Sequence, residues 1–141
     1  MEIQKKAAQY FSSRPEVVFA FLFGSSAREE ITPLSDIDLA VYIDKSSVST
    51  ARGYDLRSEL TSELMSVFQS NKVDLILLNE APPLLRHRIM SQGKKIIVRD
   101  EIQEQRFFVK TIQDYFDTLP LRSIQAHYLK KYFQGLKPPG G

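Results

Sequence analysis

The spacing of hydrophobic residues along the chain predicts that helices and strands alternate. In several segments apolar residues recur every three or four positions, which is typical of a helix that buries one face. Short apolar runs between turn residues predict strands, and the run at 17–23 is apolar throughout, as expected of a central strand. The predicted helices are 2–13, 48–69, 82–90, 100–118 and 121–133, and the predicted strands are 17–23, 36–43, 72–78 and 94–99.

Polar residues mark the start of the helix predicted at 100–118. Asp100 is a residue type that caps helix N-termini, and Gln103, three positions later, completes the pattern of a capping box. Along the same helix we expect five residues to supply apolar contacts, namely Ile102, Phe108, Ile112, Tyr115 and Phe116.

Together these elements predict the fold class α/β (α+β), a small mixed sheet of about four strands flanked by helices. A length of 141 residues fits one domain. We therefore expect a single domain over 1–134, with a core at about 15–99 and C-terminal helices at 100–133. The Pro- and Gly-rich end, 135–141, is expected to form a flexible tail.

Composition narrows the environments in which the chain works. At 43% hydrophobic residues it can bury a core, and its net charge of +2 gives no reason to expect direct binding of nucleic acid. The absence of cysteine excludes disulfides and thiol chemistry. Apolar runs are too short for a signal-peptide core or a membrane span, so we expect a cytoplasmic protein without a membrane partner.

Two polar features lie where predicted strands meet loops. Asp36 and Asp38 open the second strand at a spacing of two, which places both carboxylates on one face, where they repel unless a cation lies between them. A hard divalent cation with oxygen ligands is the usual solution. Gly24 ends the first strand and lets the backbone approach an anion, while Ser25 and the amides after it, in a short helix within 24–30, can hold phosphate. The combination indicates a metal-bound nucleoside triphosphate.

The motif formed by Gly24-Ser25, ten further residues and then Asp36-Ile37-Asp38 resembles the signature of the DNA-polymerase-β-like nucleotidyltransferase superfamily. The surrounding residues most resemble the minimal nucleotidyltransferase (MNT) antitoxins of HEPN/MNT toxin–antitoxin pairs, and the resemblance covers about residues 15–80. At Glu29 the sequence departs from the many relatives that carry a glycine after the arginine. The resemblance implies a polymerase-β-like palm.

A third carboxylate, Asp74, interrupts the apolar run at 72–78. Burying an unpaired charge is unfavourable, so this residue either faces water at a strand edge or has a specific partner. The resemblance implies the second alternative, because polymerase-β-like enzymes place a third metal ligand on a later strand.

The resemblance also implies nucleotidyl transfer with ATP as substrate and two Mg²⁺ ions as cofactors. Asp36, Asp38 and Asp74 are the predicted catalytic and metal-binding residues, and Asp74 is the best candidate for a base that acts on the acceptor. Arg28 lies about one helical turn past Gly24 and would add positive charge there, although a solvated helix arginine is an equal alternative. No pattern in the sequence indicates an adenine-specific pocket. The predicted nucleotide-binding residues are Gly24, Ser25, Ser26, Arg28 and Ser35.

The acceptor is expected to come from another molecule, because the residues after the core are too few for an acceptor-binding domain. The resemblance implies a HEPN ribonuclease toxin as partner in a heteromeric complex, with AMP transferred to a toxin tyrosine and the toxin thereby neutralised. A basic stretch, either facing this partner or simply solvated, comprises Arg86, His87, Arg88, Lys94, Lys95 and Arg99.

Two alternative functions stay open. One is nucleotidyl transfer to a small-molecule hydroxyl, as in aminoglycoside nucleotidyltransferases, which share the motif but usually carry a further helical domain. The other is a non-catalytic antitoxin that blocks its partner by occlusion, and the presence of all three aspartates argues against it.

Overall fold

The computed structural model of this chain describes residues 2–24, 36–44 and 50–118, with the side chains of 50–55 excepted. The helix predicted at 121–133 and the tail at 135–141 lie outside the described residues, as does most of the short helix predicted within 24–30. The described elements follow one another as α1 (Glu2–Ser12), β1 (Val17–Phe23), β2 (Ile37–Ile43), α2 (Thr50–Phe68), β3 (Val73–Leu77), α3 (Pro83–Gln92), β4 (Lys94–Val98) and α4 (Glu101–Asp117).

The four strands form one mixed sheet in the order β3-β2-β1-β4. β1 pairs antiparallel with both β2 and β4, whereas β2 and β3 are parallel and are joined by α2. A parallel pair requires such a crossover, because the chain must return to the same end of the sheet. β1 is an inner strand with six of its seven residues buried, as its continuous apolar run predicts. The predicted fold class is confirmed.

Helices cover both faces of the sheet. On the first face α1 and α2 pack through Ala7, Phe11, Leu56, Leu60 and Leu64. On the second face α3 and α4 pack against the odd-numbered phenylalanines of β1, with Ile89 and Phe107 in the contact. A register shift between Val17 and Phe19 lets two consecutive residues, Val18 and Phe19, both join the second core.

Asp100 caps the N-terminus of α4 as predicted, but Gln103 does not complete the predicted capping box. The Asp100 carboxylate accepts hydrogen bonds from the backbone N–H groups of Ile102 (3.0 Å) and Gln103 (3.1 Å). In a capping box the Gln103 side chain would accept from the backbone of Asp100. Instead its amide nitrogen donates to Asp100 Oδ2 at 3.0 Å, because an ionised carboxylate oxygen is a strong hydrogen-bond acceptor.

The prediction that Ile102 supplies core contacts is wrong, since its side chain is 61% exposed. α4 turns Glu104, Thr111 and Tyr115 towards the protein. Ile102 precedes Glu104 by two residues, which is about half a turn of helix, and therefore points away from the core.

Two members of the predicted basic stretch have structural roles. Arg86 is buried, donates to Asp114 Oδ2 at 3.1 Å and lies over the Phe107 ring at 5.4 Å, so it is not part of a solvated face. Arg99 donates to backbone carbonyls at the end of α1 and the start of β1, those of Phe11, Arg14 and Val17. Within the part of the chain that the structure describes, no helix is long and apolar enough to cross a bilayer.

Candidate active site

Asp38 and Asp74 lie side by side on one face of the sheet. The two strands that carry them, β2 and β3, are parallel, and their register pairs Asp38 with Asp74. Residues in register on adjacent strands point to the same face, and such strands are about 4.8 Å apart. This is the face of Ala40 and Ile76, on which α3 and α4 pack. Asp38 is half-buried, whereas Asp74 is exposed on the outer strand.

The carboxylates influence one another electrostatically. Burial raises the pKa of Asp38 above its ordinary value, and the negative charges of Asp74 and then Asp36 raise it further. Asp36 itself precedes β2 and is exposed. The three sequence-predicted aspartates therefore concentrate negative charge where β2 and β3 begin, and a cation would be stabilised there.

Gly24 lies directly against this acidic group. Its φ of +64° is in the left-handed region, and a Cβ atom there would lie only 2.6 Å from Asp38 Oδ2. The contact follows from the antiparallel register, which pairs Phe23 at the end of β1 with Asp38. Glycine is required at this position both by the backbone angle and by the neighbouring carboxylate.

The donor set fits a divalent cation in chemical type. Carboxylate oxygens are the ligands that Mg²⁺ prefers, and a bound cation would compensate the part of the raised Asp38 pKa that comes from Asp74 and Asp36, burial being the larger cause. Considering only residues 2–24, 36–44 and 50–118, no three Asp, Glu or His side chains converge closely enough to count as a metal-ligating group. Asp38 and Asp74 thus share a face, but the described side chains do not form a three-ligand metal site.

Four of the predicted nucleotide-binding residues, Ser25, Ser26, Arg28 and Ser35, lie outside the described residues. Gly24 is the last described residue of this segment.

A pocket of about 440 Å³ opens beside Gly24, between the end of β1 and α3. Apart from Gly24, its lining residues were not predicted to bind nucleotide, because Pro82, Pro83 and Gly93 indicate only the bounds of a short helix and not what that helix faces. The described lining residues are Phe23, Gly24, Leu85, Arg88, Ile89, Gln92 and Gly93.

A comparison with protein families identifies the family of this chain. The family model "Polymerase beta, Nucleotidyltransferase" matches residues 5–102 of the 141 in the chain. The chain therefore belongs to this nucleotidyltransferase family. The assignment that the sequence motif predicted is confirmed.

The chain is also similar to solved toxin–antitoxin structures. One, a toxin–antitoxin with AMP-PNP, contains a chain 27% identical to this one, with 94% of this chain and 98% of that chain covered and a TM-score of 0.65. Another, the toxin–antitoxin MntA–HepT, gives 26% identity, coverages of 95% and 97% and a TM-score of 0.59. These similarities support the resemblance to MNT antitoxins.

A third similar structure is that of a tri-AMPylated Shewanella oneidensis HEPN toxin in complex with MNT antitoxin. The identity is 26%, 95% of this chain and 96% of that chain are covered, and the TM-score is 0.59. No curated protein matches the sequence closely enough to count as a relative.

Proposed function

We propose that this chain is a Mg²⁺-dependent protein adenylyltransferase that acts as an antitoxin. It transfers AMP from ATP to a tyrosine hydroxyl of a cognate HEPN ribonuclease toxin and so neutralises the toxin. The observation that carries the proposal is the contact of Gly24 with Asp38 and the register of Asp38 with Asp74, within a chain of the polymerase-β nucleotidyltransferase family. Similar structures with AMP-PNP and with an AMPylated HEPN toxin support ATP as donor and a toxin as acceptor.

The aspartates would bind the metal. Asp36, Asp38 and Asp74 supply the hard oxygen ligands, and bound Mg²⁺ would neutralise triphosphate charge and lower the pKa of the acceptor hydroxyl. Gly24 brings backbone against the Asp38 carboxylate, which suits the close approach of a phosphate. Of the residues beyond it, we assign phosphate binding to Ser25, Ser26, Arg28 and Ser35.

The exposure of Asp74 suits it to the acceptor side of the reaction. It lies on the outer strand of the sheet that the described residues form, so a hydroxyl presented by another protein can reach it over that edge. In the transfer, the acceptor oxygen forms a bond to the α-phosphorus, the bond to the bridging oxygen breaks and pyrophosphate leaves. The acceptor proton passes to the Asp74 carboxylate and then to water.

One backbone acceptor on the outer edge of β3 is already occupied by a side chain of this protein. Arg57 on α2 donates from Nε to the carbonyl oxygen of Leu75 at 3.1 Å. On either side of β3, the carbonyl of Lys72 and the N–H of Leu78 bond to β2. Backbone groups alternate in direction along a strand, so even-numbered residues face β2 and the carbonyl of Leu75 faces away from it. With this acceptor occupied, we expect the toxin to approach through side chains around Asp74.

Mass spectrometry of a co-purified HEPN partner tests the proposal. After incubation with this protein, ATP and Mg²⁺, the partner should gain about 329 Da per AMP on a tyrosine. Asp38→Asn should abolish the gain, whereas Asp44→Asn, the same change just beyond the other end of β2, should leave it intact. An unmodified partner that is still neutralised would contradict the proposal in favour of occlusion, and AMP found only on a small hydroxyl compound would contradict the protein acceptor.

A further inference from the structure

The pocket beside Gly24 has two chemically distinct sides. Its walls are apolar and consist of Phe23 from β1 together with Leu85 and Ile89, which are four residues apart on α3. Its rim is polar, with the exposed side chains of Arg88 and Gln92 also four apart on α3. Residues at this spacing are neighbours on a helix surface, so each pair acts as one row along the pocket.

The pocket and Asp74 lie on opposite sides of Asp38. α3 packs over β1, Asp38 is on the adjacent strand β2, and Asp74 is on β3 at the outer edge. A group held in the pocket therefore approaches Asp38 from the interior side, while an acceptor approaches from the exposed edge. This separation assigns the pocket to the donor rather than to the acceptor.

The lining suits a nucleoside better than it suits phosphates. A triphosphate requires many donors and positive charges, whereas the described lining offers apolar surface and a single cationic side chain. Ligand pockets for flat ring systems combine apolar walls with a few polar groups that fix orientation. An amide such as that of Gln92 can both donate and accept, as the edge of a nucleobase requires.

The end of α3 is held close to the sheet at this point. A Cβ atom on Gly93 would lie 2.7 Å from the carbonyl oxygen of Leu22 and 2.5 Å from that of Ile89. Only glycine allows this approach, which keeps Gln92, one residue earlier, next to the end of β1.

We infer that this pocket receives the nucleoside of the donor, with its base between Phe23 and the Leu85–Ile89 row of α3 and its polar edge at Gln92. The inference rests on the proposed function, because it assumes that the chain binds a nucleoside triphosphate. It assigns nucleotide selectivity to α3, outside the motif that identifies the family.

Two tryptophan substitutions at the end of α3 test the inference. Gln92→Trp places a large side chain at the mouth of the pocket, and Ser91→Trp places the same side chain at an exposed neighbouring position that does not line it. Calorimetry on the full chain with Mg²⁺ measures the Kd of ATP and of inorganic triphosphate for each variant. We expect Gln92→Trp to weaken ATP about tenfold or more and to leave triphosphate unchanged, with both ligands unchanged for Ser91→Trp.

Other outcomes would overturn the inference. Equal weakening of ATP and triphosphate would mean that the pocket holds phosphates. Unchanged ATP binding with loss of transfer would mean that it holds the acceptor side chain, and unchanged binding and transfer would place the nucleoside elsewhere. A wild-type chain that binds ATP but transfers no AMP would refute the proposed function alone, whereas one that binds no ATP would refute both.

Discussion

Gly24 contacts Asp38 so closely that a Cβ atom on Gly24 would lie 2.6 Å from the carboxylate oxygen Oδ2. The glycine ends β1 with a φ of +64°, and the aspartate is the second residue of the neighbouring strand β2. The same glycine thus adopts the left-handed angle at the end of the strand and leaves room for the Asp38 carboxylate. A substitution here should affect the backbone and the carboxylate separately.

Replacing Gly24 should therefore reduce activity by more than its effect on stability explains. For Gly24→Ala we expect a loss of about 1–2 kcal/mol in the free energy of unfolding, because an L-residue is strained at this φ. We also expect a larger loss of AMP transfer, because the methyl group displaces Asp38. Urea unfolding and initial transfer rates measure the two effects.

Gly24→Asn serves as the matched variant, since asparagine tolerates left-handed angles but still carries a Cβ. It should recover much of the stability and little of the activity. Full recovery of transfer in Gly24→Asn would mean that the contact with Asp38 has no functional consequence.

Removing the charge of Asp74 should lower the pKa of Asp38. Burial is the largest cause of the raised pKa of Asp38, followed by repulsion from Asp74 and then from Asp36. In the absence of divalent cations, Asp74→Asn should therefore lower that pKa by more than Asp36→Asn does. Carbon-13 NMR titration of the Asp38 carboxyl measures both shifts, and an Asp38 pKa that is insensitive to Asp74 would show that the two side chains do not face each other.

The sequence predicts the acidic pair of one strand but not its alignment with the next strand. Asp36 and Asp38 share a face because of their spacing alone, and this requires no knowledge of tertiary structure. The register of Asp38 with Asp74 depends on how two strands separated by α2 align, which no local pattern specifies. Family resemblance supplied Asp74 as a candidate, and the structure adds its position on the outer strand.

Side-chain exposure is the other property that the sequence predicts poorly. Arginine is a residue type that usually faces solvent, yet Asp114 and Phe107 from α4 provide Arg86 with partners inside the protein. Isoleucine is a residue type that usually lies in the core, yet the capping of α4 by Asp100 fixes where the helix starts, and Ile102 then points outward. In both cases a helix-packing geometry overrides the preference of the residue type.

Arg86 should therefore contribute far more to stability than its neighbour Arg88. Arg86→Ala removes one of the two cations that pair with Asp114 among the described residues, the other being Lys110, and also removes the cation over Phe107, so we expect it to lower the free energy of unfolding by about 1–3 kcal/mol. Arg88→Ala removes an exposed side chain two residues later, and its effect should stay within about 0.5 kcal/mol. Denaturant unfolding of the two variants gives the comparison, and equal losses would refute the structural role of Arg86.

His87 should make stability depend on pH on the acid side of neutrality. Its ring stacks on Tyr115 with centroids 4.8 Å apart, and burial lowers the pKa of His87 below its ordinary value. The unfolded chain then binds the proton first, so stability is lost as pH falls from about 6.5 through the lowered pKa of the folded state. His87→Phe keeps an aromatic ring on Tyr115 and removes the proton, so its unfolding free energy should fall less steeply over this range. Parallel slopes for the two proteins would exclude a contribution from His87.

Asn79 should stabilise the sheet without affecting the chemistry. Its side chain accepts from the backbone N–H of Ile43 and donates to the Ile43 carbonyl, both at 2.9 Å, and so continues the pairing of β2 and β3 beyond the last bond between the strands. Asn79→Ala leaves both groups of Ile43 without these bonds, which should lower the free energy of unfolding by about 1–3 kcal/mol. Asn71→Ala, at an exposed turn residue, is the matched control and should stay within about 0.5 kcal/mol.

The transfer rate of Asn79→Ala, measured well below its melting temperature, should equal that of the wild type. Asp38 lies five residues before Ile43, which is about 17 Å along a strand. At the start of β2, next to Asp38, the backbone hydrogen bond from Ile37 N to Lys72 O, at 2.8 Å, holds β2 to β3 independently of Asn79. Loosening one end of the pair should therefore leave Asp38 and Asp74 aligned. A transfer rate that falls in proportion to stability would mean instead that the alignment of the two carboxylates depends on the whole length of the strand pair.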